Sequence, residues 1–101
     1  MIKVPGKKLK LSGKEYVFAP LPLIAFELYD DEITNFSQLS ISKQAKLVID
    51  VAFISLKRNY DEITREEVGH MLDMKNLGIV FETVMSTSDL EETTGESEAG
   101  K

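Results

Sequence analysis

The residues best suited to chemistry are few and lie apart. The chain has one histidine, His70, and no cysteine. A nucleophile–base–orienter set needs a base, and His70 has Glu66 four residues before it and Asp73 three residues after. On a helix that spacing gives ordinary surface pairing, and a single histidine leaves a zinc site short of ligands. The missing cysteine removes thiolate ligands, a thiol nucleophile and any disulfide framework, and fits a reducing compartment. The run Asp30-Asp31-Glu32 invites a hard cation. Adjacent helical side chains diverge, however, and the central Gly and terminal Glu of a calcium loop are missing. Gly6, Gly13 and Gly78 stand alone, so no glycine-rich phosphate loop is present. The expectation is a protein without catalytic, metal or cofactor sites, one that works by binding another protein.

The elements that would carry such a role are legible along the chain. Its 101 residues, 43% of them hydrophobic, suit one domain with a modest core. Within 7–19, Leu9 and Leu11 alternate with lysines, Ser12-Gly13-Lys14 signals a bend, and Tyr16, Val17 and Phe18 are strand formers. This predicts a β-hairpin too small to stand alone. Pro20 and Pro22 then stop the strand and open a helix over about 22–34, with Leu21, Ile24, Ala25 and Leu28 on its inner face. After a loop over 36–42, Ser42 or Ser40 caps a second helix, about 43–58, that is apolar nearly all round. Its polar positions are a thin stripe of Lys43, Lys46, Asp50 and Lys57, which makes it the central element or a partner interface. Thr64 and Glu67 form a capping box for a helix over about 65–73, and Asn76 caps another over about 77–87. The fold class expected is mainly α with a small N-terminal β-hairpin (α+β), about four helices packed around a central apolar helix. Residues 1–6 read as an N-terminal extension, 7–86 as the globular domain and 87–101 as a disordered acidic tail.

Charge narrows the partner. The net charge of −5 divides into +5 over residues 1–14, −4 over 87–101 and therefore −6 between them. A basic head on an acidic body lacks the broad positive field of a nucleic-acid binder. The helix pair after residue 64 has the outline of a helix-turn-helix, but 77–87 offers no Lys or Arg and carries Glu82. Leu47 to Leu56 is far short of the roughly 20 apolar residues of a membrane span, and the first residues lack a secretory apolar segment. A cytoplasmic protein that binds neither nucleic acid nor membrane is expected.

The order of these elements resembles a known family. A lysine-rich hairpin with Gly13-Lys14-Glu15-Tyr16 leads to a proline-started amphipathic helix. An apolar helix ending in Leu56-Lys57-Arg58-Asn59-Tyr60 precedes the Thr64–Glu67 helix. A short helix with Leu77 and Phe81-Glu82 follows, and then an acidic tail. Over about residues 7–88 this is similar to the tail assembly chaperones of long-tailed, siphovirus-type bacteriophages and prophages. The resemblance rests on pattern and element order. It implies a late protein that binds the tape measure protein, keeps it soluble, helps recruit tail tube subunits and is absent from the finished virion. It also implies a second, longer form made by programmed frameshifting. Ala99-Gly100-Lys101 can be encoded with the slippery run G-GGA-AAG. The nearest alternative is an adaptor or regulatory subunit of a phage or bacterial complex, and a small DNA-binding regulator stands behind it.

Phe26 and Tyr29, off the main face of the first helix, together with Phe53 and Tyr60, are the residues expected to contribute to a client or self-association surface. A homo-oligomer is a further expectation, with the basic hairpin of one copy meeting the acidic body of another.

Overall fold

The computed structural model describes residues 2–88. Strand β1 (Lys7–Leu11) and strand β2 (Lys14–Phe18) form an antiparallel hairpin, followed by helices α1 (Leu23–Thr34), α2 (Ile41–Lys57), α3 (Arg65–Met71) and α4 (Leu77–Ser88). A single 3-10 turn at Phe36–Gln38 links α1 to α2. The fold is thus the expected α+β arrangement, a two-stranded hairpin and then four helices.

The hairpin closes through a two-residue loop, with Leu11 opposite Lys14. Ser12 and Gly13 both have positive φ, 52° and 80°. That is the mirror-image turn whose twist matches the strands it joins, and it is why glycine stands at position 13. Strand alternation puts Leu9, Leu11, Tyr16 and Phe18 on one face. Leu11 and Phe18 are buried, whereas Lys8 and Lys10 on the opposite face are exposed. The apolar face packs on α4, and β2 also reaches α2. Burying Phe18 completely is worth about 1.5–3 kcal/mol, which helps hold a hairpin that could not persist alone.

Helix α2 is the centre. It touches α1, α3, α4 and β2, and buries Leu47, Val48, Val51, Ala52 and Leu56. Ser40 is its N-cap, its hydroxyl accepting from the Lys43 N–H at 3.3 Å, so the helix starts two residues earlier than expected. Its last turn fixes the chain entering α1. The Ser55 hydroxyl donates to the Ala19 carbonyl at 2.7 Å, and Arg58 donates to the Pro20 carbonyl at 2.6 Å. The far end of α4 meets the same segment, where the Leu21 N–H donates to Ser88 Oγ at 2.8 Å. Helix α4 thus ends at Ser88, one residue beyond the end expected for it and within the start of the segment read as a tail; 89–101, the rest of that segment, lies outside the described residues.

Both short helices begin with reciprocal caps. Thr64 Oγ1 accepts from the Glu67 N–H while Glu67 accepts from the Thr64 N–H, the capping box read from the sequence. The cap of α4 differs from expectation. Asp73 Oδ1 accepts from the N–H groups of Lys75 and Asn76, and Asn76 Oδ1 accepts from the Asp73 N–H. Asp73 is the cap, and Asn76 is the residue that reaches back. The Leu77 N–H bonds to the Asp73 carbonyl, so helical hydrogen bonding already runs through this turn.

Residues 3 and 4 are not a loose extension. Asn59 Oδ1 accepts from the N–H groups of Lys3 (2.8 Å) and Val4 (2.6 Å), and Asn59 Nδ2 donates to the carbonyls of Val4 (2.8 Å) and Val17 (3.3 Å). The next residue, Tyr60, accepts the Val17 N–H on its hydroxyl at 2.9 Å. Asn59 and Tyr60 together close the outer edge of β2 at Val17. Gly6 lies so close to β2 that a Cβ there would sit 1.8 Å from the Phe18 carbonyl oxygen, which admits only glycine.

Candidate functional site: the outer face of helix α1

Helix α1 rests on α2 through Ala25, which is buried, and through Phe26, Tyr29 and Ile33, which are partly buried against the core. These positions share one helical face. The face read as inward from the sequence turns out to be half wrong. Leu21 and Ala25 are buried, but Ile24 and Leu28 are exposed at 55% and 63%, and Leu23 at 83%. The physical reason is competition between two apolar stripes. Phe26, Tyr29 and Ile33 bury more area than Ile24 and Leu28, and they leave the smaller stripe in water.

The outer face of α1 is also acidic. Glu27, Asp30, Asp31 and Glu32 are exposed, and no salt bridge reaches any of them among the described residues. Three of the four stand in the last turns, where α1 has no basic residue of its own, although Asp31 and Glu32 share the lining of the α1–α2 groove with Lys43 and Lys46. The C-terminal end of a helix carries partial negative charge, so acids there are unfavourably placed.

Position and orientation of α1 are fixed by one polar cluster. Asp50, on the thin polar stripe of α2, is only 7% exposed. Its Oδ1 accepts from Arg65 Nε of α3 at 2.6 Å. Its Oδ2 accepts from Lys46 Nζ at 3.0 Å and from the Tyr29 hydroxyl at 3.3 Å. Burial pushes the Asp50 carboxyl up, but the hydrogen bonds and charges of Arg65 and Lys46 outweigh it and hold the group below its ordinary value. Burial first, and then the Asp50 charge, push the Tyr29 hydroxyl the other way, above its ordinary value. Tyr29 itself has non-helical φ and ψ of −118° and 19°, and α1 kinks there. The cluster therefore joins α1, α2 and α3 at the kink. Beside it a groove of about 380 Å³ runs between α1 and α2, lined in part by Tyr29, Glu32, Leu39, Lys43 and Leu47.

The four aromatic residues singled out from the sequence do not form one surface. All are partly buried against the core. Tyr29 faces the α1–α2 groove. Tyr60 packs edge-on against Tyr16, with ring centres 5.5 Å apart, in a separate cleft of about 710 Å³ between the hairpin and α3. Lys57 covers the ring of Phe53 at 5.8 Å. Phe26 underlies the exposed α1 face. Leu23, Ile24 and Leu28 escaped the sequence reading. The signal that could have found them is the rival stripe Ala25, Phe26, Tyr29 and Ile33, which is equally regular and larger.

His70 is exposed, with its Nε2 4.0 Å from Glu66, the surface pairing its spacing implied. Among the described residues no three His, Asp or Glu side chains converge to hold a metal ion, and no helix is long and apolar enough to cross a membrane. Compared with known proteins, the chain matches no protein-family model, no curated protein and no solved structure.

Proposed function

We propose that this chain is an assembly chaperone for a phage tail, a binding protein without turnover that holds the tape measure protein through the outer face of α1. The observation that carries the reading is the exposure of Ile24 and Leu28, one turn apart, with Leu23 exposed beyond Glu27, on a helix whose other face already fills its place in the core. Large apolar side chains grouped in water mark an interaction surface more often than a fault. An α-helical client with an apolar stripe suits a helix face of this kind. The element order shared with the tail assembly chaperones over about residues 7–88 supplies the client. On this reading the protein acts in the host cytoplasm, recruits tail tube subunits to the loaded client and leaves before the virion is complete.

The test is coexpression with a tape measure protein of a long-tailed phage. The wild-type chain keeps the client soluble and copurifies with it. Ile24→Ser with Leu28→Ser, both at exposed positions, leaves the thermal midpoint within a few degrees of wild type and releases the client into the insoluble fraction. Full retention of the client by that double variant removes the α1 face from the reading.

A further inference from the structure

We infer that the partner segment taken by α1 is a cationic amphipathic helix, with an apolar stripe that meets Ile24 and Leu28 and with flanking lysines or arginines that meet Glu27, Asp30, Asp31 and Glu32. The inference rests on the reading of this face as the client surface, and it adds the chemistry of the client. Two independent features of α1 carry it. The first is charge. The four carboxylates are exposed, without a salt bridge among the described residues, and they border the apolar positions; in helical projection Glu27 and Asp31 lie to one side of Ile24 and Leu28, and Glu32 to the other. The second is a local conflict. Asp30, Asp31 and Glu32 crowd the negative end of the helix, and no base in its last turn offsets them. By contrast Lys57 in the last turn of α2 and Glu66 and Glu67 in the first turn of α3 stand where the helix dipole favours them. Three acids crowded at that end, on the helix that also exposes Ile24 and Leu28, mark a site whose partner supplies the compensating charge. A cationic helix supplies both parts, covering the apolar stripe and neutralising the misplaced acids. A second copy of α1 covers the stripe but brings the same four acids against it, so like charges disfavour that pairing.

The experiment uses two labelled helical peptides with one Leu/Ile stripe, flanked in one by lysines and in the other by glutamates, titrated into the full chain. The lysine peptide binds about tenfold or more tightly at low salt, and the preference collapses at about 0.5 M salt. Glu27→Lys with Asp31→Lys abolishes or inverts the preference. The same charge change placed elsewhere, Glu62→Lys with Glu82→Lys, leaves it largely intact; circular dichroism confirms that both variants keep their helices. Equal affinities, no binding of either peptide, or equal effects of the two double variants would overturn the inference. So would a dimer in sedimentation that Leu28→Glu dissolves, because the chain itself then covers the face. A failed charge preference with the tape measure protein still captured through Ile24 and Leu28 sinks this inference and leaves the assembly role standing. A clear preference without capture does the reverse.

Discussion

Replacing Asp50 by asparagine tests the polar cluster that holds α1 in place. The carboxylate accepts three hydrogen bonds, two of them from cations. Hydrogen bonds to charged groups contribute about 1.5–3 kcal/mol each when both partners are sheltered. Here the cations are not sheltered. The side chains of Lys46 and Arg65 are 70% and 49% exposed, so water replaces much of what each loses. Asparagine also keeps an acceptor for Arg65. The expected cost at neutral pH is therefore about 1.5–3 kcal/mol in total, below the roughly 3–5 kcal/mol of stranding a buried charge. Urea unfolding at a series of pH values measures it. The Asp50 carboxyl titrates lower in the folded chain than its ordinary value of 3.8. Its contribution is therefore complete above that value and is lost as the pH falls through the folded-state pKa. The gap between wild type and Asp50→Asn is wide and flat from neutral pH down to about pH 5, then closes in acid. Equal stabilities at neutral pH, or a gap unchanged in acid, would show that the charge of Asp50 does not hold the cluster.

Other substitutions probe the remaining parts. Asn59→Ala, which loses four hydrogen bonds from a buried side chain, costs about 2–4 kcal/mol by urea unfolding, with the N-terminal segment released to water. Gly6→Ala drives a methyl into the Phe18 carbonyl, costs about 2 kcal/mol, and raises amide hydrogen exchange at Lys3 and Val4. Ser12→Asn, at a left-handed turn position, raises stability by about 0.5 kcal/mol, whereas Gly13→Ala lowers it by about 1 kcal/mol, both read as shifts in thermal midpoint. Above pH 10 the Tyr29 hydroxyl, whose folded pKa is raised, resists ionisation in the folded chain; stability falls as pH climbs toward that value, and Tyr29→Phe flattens the loss.

How much could be read in advance follows from the range of the interactions. The hairpin, the Thr64–Glu67 box and the apolar girth of α2 are signalled within a few residues, and they appear where expected. The phase of α1 was not legible, because two stripes of similar regularity compete and only the surface of α2 decides between them. Asp50 read as one more member of the polar stripe because its partners Tyr29 and Arg65 lie 21 and 15 residues away. Asn59 read only as the end of the apolar helix for the same reason, since it binds backbone 42 to 56 residues distant. The outer leucines of α1 became a candidate site only once their rivals had been placed inside.

The Asn59 clamp also sets an order of events during synthesis. The side chain that holds Val4 is made 55 residues after it. At about 5–20 residues per second, that interval is about 3–11 seconds. Through that time the first residues have no place to dock and the outer edge of β2 stands open at Val17. The hairpin is translated before all four helices, yet its outer edge is closed only after α2 is complete.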